Sequence, residues 1–565
     1  MSVPPRILAA RATPPRWAGG VAVPDWLALR EGTRPFVVVA PHGGRRARPI
    51  RRGDSVNDLH TAAIAWELAG RAGAHAIVNH GLDRNEIDLN RISHLASRAP
   101  AVLALLEAAI GAAARGGEVP LVLFVHGWNM VVSCCDIGIG LRRRGGVLSG
   151  RWPTLDRARY DGTVAAIERE LGRRGIAAAV GRRYTASGRD NAAQLFSGRH
   201  ADHEDEAVAR LARLAIDGKV DAAQLELGIP LRWEGPMRAA LLDGLEAALV
   251  ADAPRDLHPR DDDAPRRATV APPRETVAAP RETVAVLRTN GGWSLPVAAR
   301  DEEAAAPEPG FALQAVLDPD GRVATFCGVE ATGPASMTAR FSFVCADGSM
   351  MLLVGEGEWQ GRAGHYQLEG AEWKAEGDGA AIAIRIRAPM IRYATHDAYL
   401  DLESGLSGSA LAEADVSLRF EALSESHGRL TGRVLAGGLE LDVDTVAFVD
   451  RGARLRATPR DRIRVVVATA TGEPVVARSD EDASLVLRPD AGALGAIVAA
   501  GGEAEPGAVH HAAIVARVPV WRPHGDGVFS RWTFGIVRCR LHGETGERPG
   551  LFDSLEIFRR PASRD

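Results

Sequence analysis

The chain has 565 residues, more than one hydrophobic core usually supports, so about two to four domains are expected. Hydrophobic residues make up 46% and charged residues 25% of the chain, which is the balance of an ordinary globular protein. The net charge of −4 excludes a strongly basic surface of the kind that binds nucleic acid or an anionic membrane.

Targeting signals and cysteine spacing both indicate an intracellular protein. The N-terminal residues lack the sustained apolar core of a signal peptide, and no stretch approaches the roughly 20 apolar residues that cross a bilayer. The five cysteines cannot all pair internally and lack metal-type spacing, so we expect small buried side chains in a reducing compartment. The chain is therefore predicted to be soluble and cytoplasmic, with no membrane span.

The first 250 residues alternate between apolar strands and helices. Residues 1–34 show no regular pattern and are expected to be irregular. The sequence predicts strands at 36–40, 74–80, 119–125, 177–180 and 222–227, and helices at 61–72, 100–114, 163–174, 204–214 and 236–250. This alternation indicates an α/β domain at 35–250, with a mainly parallel sheet covered by helices on both faces.

The rest of the chain differs in composition. Residues 251–289 are rich in proline and charge and repeat Pro-Arg-Glu-Thr-Val-Ala. Such a segment buries too little apolar surface to offset its ordering entropy, so an extended linker is predicted. From 290 to 565, runs of alternating polarity recur between turns that contain glycine and aspartate. This pattern predicts an all-β domain, a sandwich or a barrel of one or two lobes, large enough to enclose a ligand.

Two histidines follow predicted strands in the α/β half. His42 lies in Pro-His-Gly-Gly at 41–44, and His126 directly follows the strand at 119–125. In an open α/β sheet, ligand sites form at the carboxyl ends of strands, where a neutral imidazole nitrogen can bind a metal. The glycines after His42 allow a tight turn or a close approach of the backbone. A hydrogen-bonded structural histidine is the alternative at each position.

Four segments of this half resemble, in the same chain order, the N-formylglutamate amidohydrolase family. They are Pro-His-Gly-Gly at 41–44; Asp58 with the later Arg-Asn-Glu-Ile-Asp-Leu-Asn-Arg at 84–91; His126; and Gln-Leu-Glu at 224–226. The resemblance covers 35–250 and implies a phosphorylase/hydrolase-like α/β fold related to zinc carboxypeptidases and aspartoacylases. It also implies a zinc-dependent amidohydrolase that cleaves an amide C–N bond of an N-acyl amino acid or a peptide-like substrate.

The resemblance implies a Zn²⁺ ion with three protein ligands. Such an ion lowers the pKa of a water molecule and polarises the amide carbonyl. The expected ligands are His42, His126 and a carboxylate, for which Asp58 is the first choice and Asp54 the alternative. The related carboxypeptidases place a glutamate three residues after the first histidine, whereas this chain has Arg45 there.

The remaining motif residues receive roles from the same resemblance. Glu226 is expected to be the general base that takes a proton from water and passes it to the leaving amine. Arg84 is expected to donate to the oxyanion. Asn90 and Arg91 are expected to bind a substrate carboxylate, and Asp88 to hold one of the arginines.

The chain departs from the family beside the second histidine. Family members commonly have aspartate before it and serine after it, where this chain has Val125 and Gly127. Losing a partner of a metal-binding histidine weakens metal binding by roughly 10- to 100-fold. The expected substrate loop is also shortened, and its arginines 182, 183 and 189 either serve the substrate or form a solvated basic loop.

The β half resembles the lipocalin-like domains of the hydroxyneurosporene-synthase and tocopherol-cyclase group. The resemblance is carried by residues 448–452 and by Pro-Arg-Asp at 459–461. It implies that the β half binds or transforms an apolar ligand such as a lipid or isoprenoid. The alternative function of the whole chain is therefore a degenerate, non-catalytic metal site joined to such a β domain. A β domain used only for docking or stability is the simplest alternative.

Overall fold

The chain divides into two compact units in the computed structural model. The first unit comprises Met1–Asn129 and Ser133–Val284, and the second comprises Met130–Val132 and Ala285–Asp565. Asp54, the signature segment 452–461 and all but the first residue of the predicted linker lie outside the described residues. The structure describes residues 14–45, 55–144, 147–251, 311–331, 336–359, 365–368, 372–376, 381–395, 408–424, 427–451, 462–468, 474–478, 485–488, 496–499, 509–525, 528–541 and 545–559.

A seven-stranded mixed sheet forms the centre of the first unit. Its spatial order is β1-β3-β2-β4-β9-β5-β8. β3, β2, β4 and β9 pair in parallel, as do β5 and β8, whereas β1–β3 and β9–β5 are antiparallel. A separate hairpin joins β6 and β7. The strands are Leu27–Arg30 (β1), Phe36–Ala40 (β2), His75–Asn79 (β3), Leu121–Gly127 (β4), Cys134–Gly138 (β5), Arg142–Arg144 (β6), Val147–Ser149 (β7), Ala177–Val180 (β8) and Asp221–Leu227 (β9).

Helices cover both faces of this sheet and enclose two apolar cores. One core packs Val38 and Leu123 against helices Thr61–Ala72, Ala165–Gly172 and Pro236–Ala251. The other packs Val39 and Phe124 against helices Ile92–Arg98, Pro100–Ala113 and Glu206–Ile216 and the 3-10 helix Ala192–Phe196. Shorter helical segments are Arg16–Ala18, Ala114–Gly116, Arg157–Arg159, the π-helical Tyr160–Val164 and Ile229–Arg232.

Local signals account for the ends of several helices. Pro100 occupies the first turn of its helix, where the missing N–H costs nothing. Gly73 ends the helix Thr61–Ala72 in the left-handed conformation that favours glycine. Asp205 accepts hydrogen bonds from two backbone N–H groups at the start of Glu206–Ile216. Helix positions therefore follow from the sequence to within a few residues.

The sequence predicts a mainly parallel sheet, and the structure has a mixed one because of β1 and β5, neither of which was predicted. Six residues separate β4 from β5. A parallel return needs a crossover of a dozen or more residues, so this short connection reverses the chain. β9 then inserts between β4 and β5, parallel to the first and antiparallel to the second.

A closed antiparallel barrel of lipocalin-like type forms the first part of the second unit. β10 pairs with both β11 and β19, which closes the ring. β13 pairs with β16 near its start and with β14 near its end, so eight strands surround one end and the β14–β15 hairpin widens the other. The strands are Phe311–Val316 (β10), Val323–Ala331 (β11), Ser336–Cys345 (β12), Met350–Trp359 (β13), His365–Leu368 (β14), Glu372–Glu376 (β15), Ala381–Tyr393 (β16), Ala410–Ala422 (β17), His427–Ala436 (β18) and Leu439–Arg451 (β19).

The remaining strands form a second, seven-stranded antiparallel sheet. Its spatial order is β21-β20-β26-β25-β24-β23-β22. The sequence left open a barrel or a sandwich, and the structure has a closed barrel followed by this sheet. The strands are Arg462–Ala468 (β20), Pro474–Arg478 (β21), Leu485–Arg488 (β22), Ala496–Ala499 (β23), Val509–Gly525 (β24), Val528–Leu541 (β25) and Glu547–Arg559 (β26).

No single helix in the described ranges is both long and apolar enough to span a membrane. The helices Ile92–Arg98 and Pro100–Gly116 meet that requirement only when taken together, and they are bent by 107° relative to each other. All five cysteines are buried, as the sequence predicts.

Asp221, the first residue of β9, makes stability depend on pH. Burial and the charge of Asp156 raise the pKa of Asp221 to about 6. The unfolded value is about 3.9, so the folded chain binds this proton more tightly, and ionisation costs stability as pH rises from about 4 to about 6. We expect the melting temperature of Asp221→Asn, relative to the unsubstituted chain, to increase over that interval. A pH-independent difference would contradict the assignment.

Candidate metal centre

His42 and Asp58 are joined through their backbones just beyond the carboxyl end of β2. The N–H of Asp58 donates to the carbonyl of His42 at 2.9 Å. The carbonyl of Asp58 accepts from the Thr61 hydroxyl at 2.6 Å and from its N–H at 3.2 Å, where the helix Thr61–Ala72 begins. His60, which lies between Asp58 and Thr61, turns the chain with a φ of 70°, a conformation uncommon for residues other than glycine. Asp58 is thereby aimed back at the turn that carries His42.

The glycines after His42 serve close packing of the backbone. A Cβ at Gly43 would lie 2.5 Å from the Ala62 side chain, and a Cβ at Gly44 would lie 1.8 Å from the Leu82 carbonyl oxygen. Any side chain at either position would therefore displace the turn. The sequence predicts that these glycines permit a close approach of the backbone. In the structure, Gly43 packs closely against the helix Thr61–Ala72 and Gly44 against Leu82.

His42, Asp58 and His126 form a buried group that could hold a metal ion. Asp58 Oδ2 lies 3.2 Å from His42 Nδ1 and 3.1 Å from His126 Nδ1. One ligand atom from each residue lies within 4.8 Å of the other two, and the side chains are almost fully buried. A tetrahedral zinc ion with bonds of about 2.0 Å separates its ligand atoms by about 3.3 Å. The observed spacing therefore suits such an ion.

Asp88 holds a proton on the ring nitrogen of His42 that faces away from Asp58. Asp88 Oδ1 lies 2.6 Å from His42 Nε2. Burial opposes the charge of Asp88, but His42 and Arg84 outweigh it and hold the pKa of Asp88 below its ordinary value. An ionised carboxylate only accepts hydrogen bonds, so Nε2 of His42 carries a proton. With Nε2 protonated, neutral His42 presents the Nδ1 lone pair to Asp58, where a metal cation could bind both groups, whereas protonated His42 donates its Nδ1–H to Asp58 Oδ2.

The charges around Asp58 keep it ionised despite its burial. Burial raises the pKa of Asp58, but His42, Arg84 and hydrogen bonds from both histidines lower it well below its ordinary value. Burial lowers the pKa of His42, and Asp58 and Asp88 outweigh this and raise it overall. Burial lowers the pKa of His126, and the hydrogen bond to Asp58 only partly offsets the effect. The ionised Asp58 therefore lies between His42, whose pKa is raised, and His126, whose pKa is lowered.

His126 lacks the second partner that His42 has. Among the described residues, none forms a hydrogen bond with the buried Nε2 of His126. The sequence predicts this difference, because Val125 stands where the resembling family commonly has aspartate. The orientation of His126 is therefore maintained by its strand and by Asp58.

Arg84 contacts the carboxylate of Asp58. Its Nη1 donates to Asp58 Oδ1 at 3.1 Å and to the Val56 carbonyl at 3.3 Å. Its Nη2 lies 3.9 Å from Asp88 Oδ2. Two loops thus meet at this guanidinium, and Nη2 is the nitrogen with the weaker protein contact. Asn57 strengthens the junction, because its Oδ1 accepts from the N–H of Arg84 at 3.0 Å.

Glu226 lies on β9 directly opposite His126 on β4. Adjacent strands are about 4.8 Å apart, and residues in register project to the same face. Glu226 is 7% exposed, and burial followed by the charge of Asp58 raises its pKa to about 8. The carboxyl group is therefore mostly protonated at neutral pH.

A chain of amides determines which oxygen of Glu226 accepts a hydrogen bond. The Oδ1 of Asn191 accepts from the N–H of Ala193 at 2.9 Å, so its Nδ2 must be the donor to Gln224 Oε1 at 3.0 Å. Gln224 Nε2 then donates to Glu226 Oε1 at 2.7 Å. The proton of neutral Glu226 consequently belongs on Oε2.

Asn90 and Arg91 are connected to the metal centre by hydrogen bonds to Asp88. Asp88 Oδ1 accepts from the N–H of Asn90 at 3.0 Å, and its Oδ2 accepts from Arg91 Nε at 3.3 Å. In the described part of the chain, Asn90 Oδ1 has no hydrogen-bond partner, and the Arg91 side chain is 37% exposed. Both side chains therefore retain polar groups that a ligand could use.

The structure brings the first-choice ligand Asp58 together with both histidines, and Arg45 is exposed. Sequence reasoning expected Asp88 to hold an arginine, which it does, but missed its contact with His42. It also missed the orienting roles of Gln224 and Asn191. The motif at 84–91 and Gln-Leu-Glu at 224–226 marked two of these positions, whereas no pattern marked Asn191.

The basic loop after β8 is anchored at its backbone. Asp136 Oδ2 accepts from the N–H of Arg183 at 2.8 Å and also from the N–H of Tyr184. The Arg183 guanidinium lies 4.8 Å from the centre of the Trp128 ring. This loop is thus ordered against the segment that follows His126.

Comparisons with known proteins yield only distant likenesses. No family model matches the chain, and no curated protein matches its sequence. The chain is similar to N-formylglutamate amidohydrolase from Ralstonia eutropha JMP134, at 19% identity and a TM-score of 0.26, over 40% of this chain and 95% of that chain. Kievitone hydratase from Nectria haematococca follows at 9% identity and a TM-score of 0.26, over 44% and 88%. CghA with Sch210972 follows at 12% identity and a TM-score of 0.22, over 45% and 88%. The chemistry of the site therefore has to be inferred from its own side chains.

Asp88→Asn tests the role of the second carboxylate. Asparagine keeps the size of the side chain but removes the charge that fixes the proton on His42 Nε2, so we expect Zn²⁺ affinity to fall by about 10- to 100-fold. Competition with a chromophoric chelator measures that affinity. Asp190→Asn is the control, because Asp190 accepts hydrogen bonds from Ser93 and does not contact the metal-binding group. Equal affinity of the Asp88→Asn variant and the unsubstituted chain would exclude this role.

Proposed function

We propose that the chain is a zinc-dependent amidohydrolase that cleaves the amide C–N bond of an N-acyl amino acid or a peptide-like substrate. The observation that carries the proposal is the convergence of His42 Nδ1 and His126 Nδ1 on Asp58 Oδ2 in one buried group that could hold a metal ion. A divalent cation bound there would replace the histidine protons in these contacts, and two imidazoles with one carboxylate are a typical catalytic zinc ligand set. The sequence resemblance at 41–44, 84–91 and 224–226 supports the same function.

In this proposal His42, Asp58 and His126 hold the metal, and Asp88 keeps His42 in the tautomer that binds it. A bound Zn²⁺ supplies a Lewis acid that polarises a carbonyl and lowers the pKa of a water molecule. The hydrogen bond from Arg84 to Asp58 Oδ1 leaves Oδ2 for the metal. Three protein ligands leave a fourth position for substrate or water.

Glu226 is the proposed general base and acid. The charge of Asp58 is the second cause of its raised pKa, so neutralising Asp58 brings the pKa down from about 8 toward neutral pH. A group with a pKa near the working pH both accepts and returns a proton efficiently. Gln224 holds Oε1, so Oε2 is the atom that takes a proton from water and delivers it to the leaving amine.

Arg84 Nη2, Asn90 and Arg91 are the proposed substrate contacts. Nη1 of Arg84 is committed to Asp58, so the oxyanion is assigned to Nη2. Asn90 Oδ1 makes no hydrogen bond among the described residues, and the Arg91 guanidinium is partly exposed. A substrate carboxylate could accept from the Arg91 guanidinium and from the amide Nδ2 of Asn90, whereas Asn90 Oδ1 is itself an acceptor and suits a substrate N–H.

Metal analysis of the purified chain, paired with hydrolysis assays on a set of N-acyl amino acids, tests the proposal. We expect about one zinc per chain, and loss of both zinc and hydrolysis in His42→Ala and in His126→Ala. His200→Ala is the control, because His200 lies in the same unit but bonds the Arg189 carbonyl. A folded chain that retains no zinc after dialysis against the metal would end the proposal.

Glu226→Gln separates metal binding from catalysis. Glutamine is isosteric and keeps an acceptor for Gln224, so zinc content should be unchanged. Hydrolysis should fall by at least about 100-fold, because the group that moves the proton is gone. The measurement is kcat with the best N-acyl substrate at matched zinc occupancy. Activity equal to that of the unsubstituted chain would remove Glu226 from the mechanism.

The alternative proposal is a non-catalytic metal site with a barrel that binds an apolar ligand. Its support is the alternation along β16 and β17, where buried apolar side chains form register pairs. A fully folded chain that neither takes zinc nor hydrolyses any N-acyl amino acid would favour this alternative. The register pairs are Ile382–Phe420, Ile384–Leu418 and Ile386–Val416.

A further inference from the structure

Arg232 is completely buried, yet no carboxylate forms an ion pair with it within the described ranges. It ends the short helix Ile229–Arg232, six residues after Glu226. Burial lowers the pKa of Arg232 to about 10, so the guanidinium is still charged at neutral pH. A buried charge is costly unless hydrogen bonds satisfy it, so its partners show what it is there to hold.

The partners of Arg232 are neutral oxygens in the two segments that carry metal ligands. Nη1 donates at 3.0 Å to the carbonyl of Leu59, the residue after Asp58. Nη2 donates at 3.0 Å to the carbonyl of Trp128, two residues after His126, and at 2.9 Å to Asn129 Oδ1. One rigid guanidinium thus ties the segments of Asp58 and His126 to the segment that follows Glu226.

Gly127 makes room for this guanidinium. A Cβ at Gly127 would lie 2.4 Å from Arg232 Nη1 and 2.7 Å from Cζ. The guanidinium therefore occupies the space that a side chain at 127 would need, and even alanine would displace it.

We propose that Arg232 is a positioning residue of the metal centre, which sets the separation of Asp58 and His126, and that Gly127 is the complementary position that admits it. The inference rests on the proposed zinc site and adds a structural role for two residues outside its ligand set. A planar guanidinium suits the task because its donors diverge in a fixed geometry, which a flexible ammonium does not reproduce. Its charge also lies close enough to Asp58 and Glu226 to favour their ionised forms.

The test compares Arg232→Met, Gly127→Ala and the double variant. Methionine is close in length but donates no hydrogen bond, so Zn²⁺ affinity should fall by at least about tenfold. Gly127→Ala should cause a similar loss by displacing the guanidinium. In the double variant the second substitution should add little, because both act on one contact. The probe is Zn²⁺ itself in competition with a chromophoric chelator, with circular dichroism to verify folding.

Arg34→Met is the matched control. Arg34 also donates to a backbone carbonyl, that of Leu249 at 3.0 Å, and stacks on the Phe36 ring in the same unit. Its loss should lower the melting temperature and leave zinc affinity unchanged. A general loss of packing would weaken the control and the test variants alike, whereas a positioning role affects only the latter.

The outcomes separate this inference from the proposed function. If the unsubstituted chain binds zinc and both folded single variants bind it equally well, the inference fails and the proposed function stands. If Arg232→Met does not fold, Gly127→Ala decides by the same measurement. Additive losses in the double variant would also overturn the inference. An unsubstituted chain that binds no zinc would overturn both.

Discussion

The first unit depends on one buried carboxylate that two imidazoles share. Asp58 Oδ2 lies between His42 Nδ1 and His126 Nδ1, and Oδ1 is held by Arg84. An unpaired buried charge is strongly unfavourable, so this carboxylate is stable only while those donors surround it. Asp88 on the far side of His42 directs the lone pair of that ring inward. The group could therefore hold a positive ion between its carboxylate and its imidazoles.

The sheet explains why residues so far apart in sequence meet. β2, β4 and β9 are consecutive neighbours, and their carboxyl ends present His42, His126 and Glu226 along one edge. Strand β4 supplies His126 and strand β9 supplies Glu226, the turn after β2 supplies His42, and the loops at 55–60 and 84–91 supply Asp58, Asp88 and Arg84. Rigid strands set the spacing, and hydrogen-bonded loops set the charge balance. In open α/β sheets, ligands bind at the carboxyl ends of the strands.

Charge compensation links the site to its surroundings. Asp58 and Asp88, and Glu226 when it is ionised, are opposed by Arg84 and Arg232, and each arginine bridges two segments of the chain. The arginines therefore have two effects, because they offset buried negative charge and also hold the ligand-bearing segments at fixed separation. Removing either one would change the electrostatics and the geometry together.

Much of the fold could be predicted because hydrophobic periodicity is local. The strands Phe36–Ala40 and Ala177–Val180 and the helix Thr61–Ala72 lie where the sequence predicts them. The direction of β5 could not be predicted, because it depends on a short reversal and on the later insertion of β9. Closure of the barrel was likewise open, since alternation along a strand is the same in a sandwich. Pairing of β10 with β19, more than a hundred residues later, decides it.

The sequence by itself determined that two histidines would lie at the carboxyl ends of buried strands and that acidic and basic residues would cluster at 84–91. The structure places His126 within β4, one residue before its end, and not after it as the sequence predicts. Residue types and strand ends are local properties, so they can be deduced before folding is known. Only the tertiary structure decided that Asp58 faces both imidazoles, that Asp88 contacts His42 and that Asn191 orients Gln224. These contacts join side chains across separate loops and strands. Such pairings leave no periodic trace in the chain, and they exist only once the sheet has brought its strand ends together.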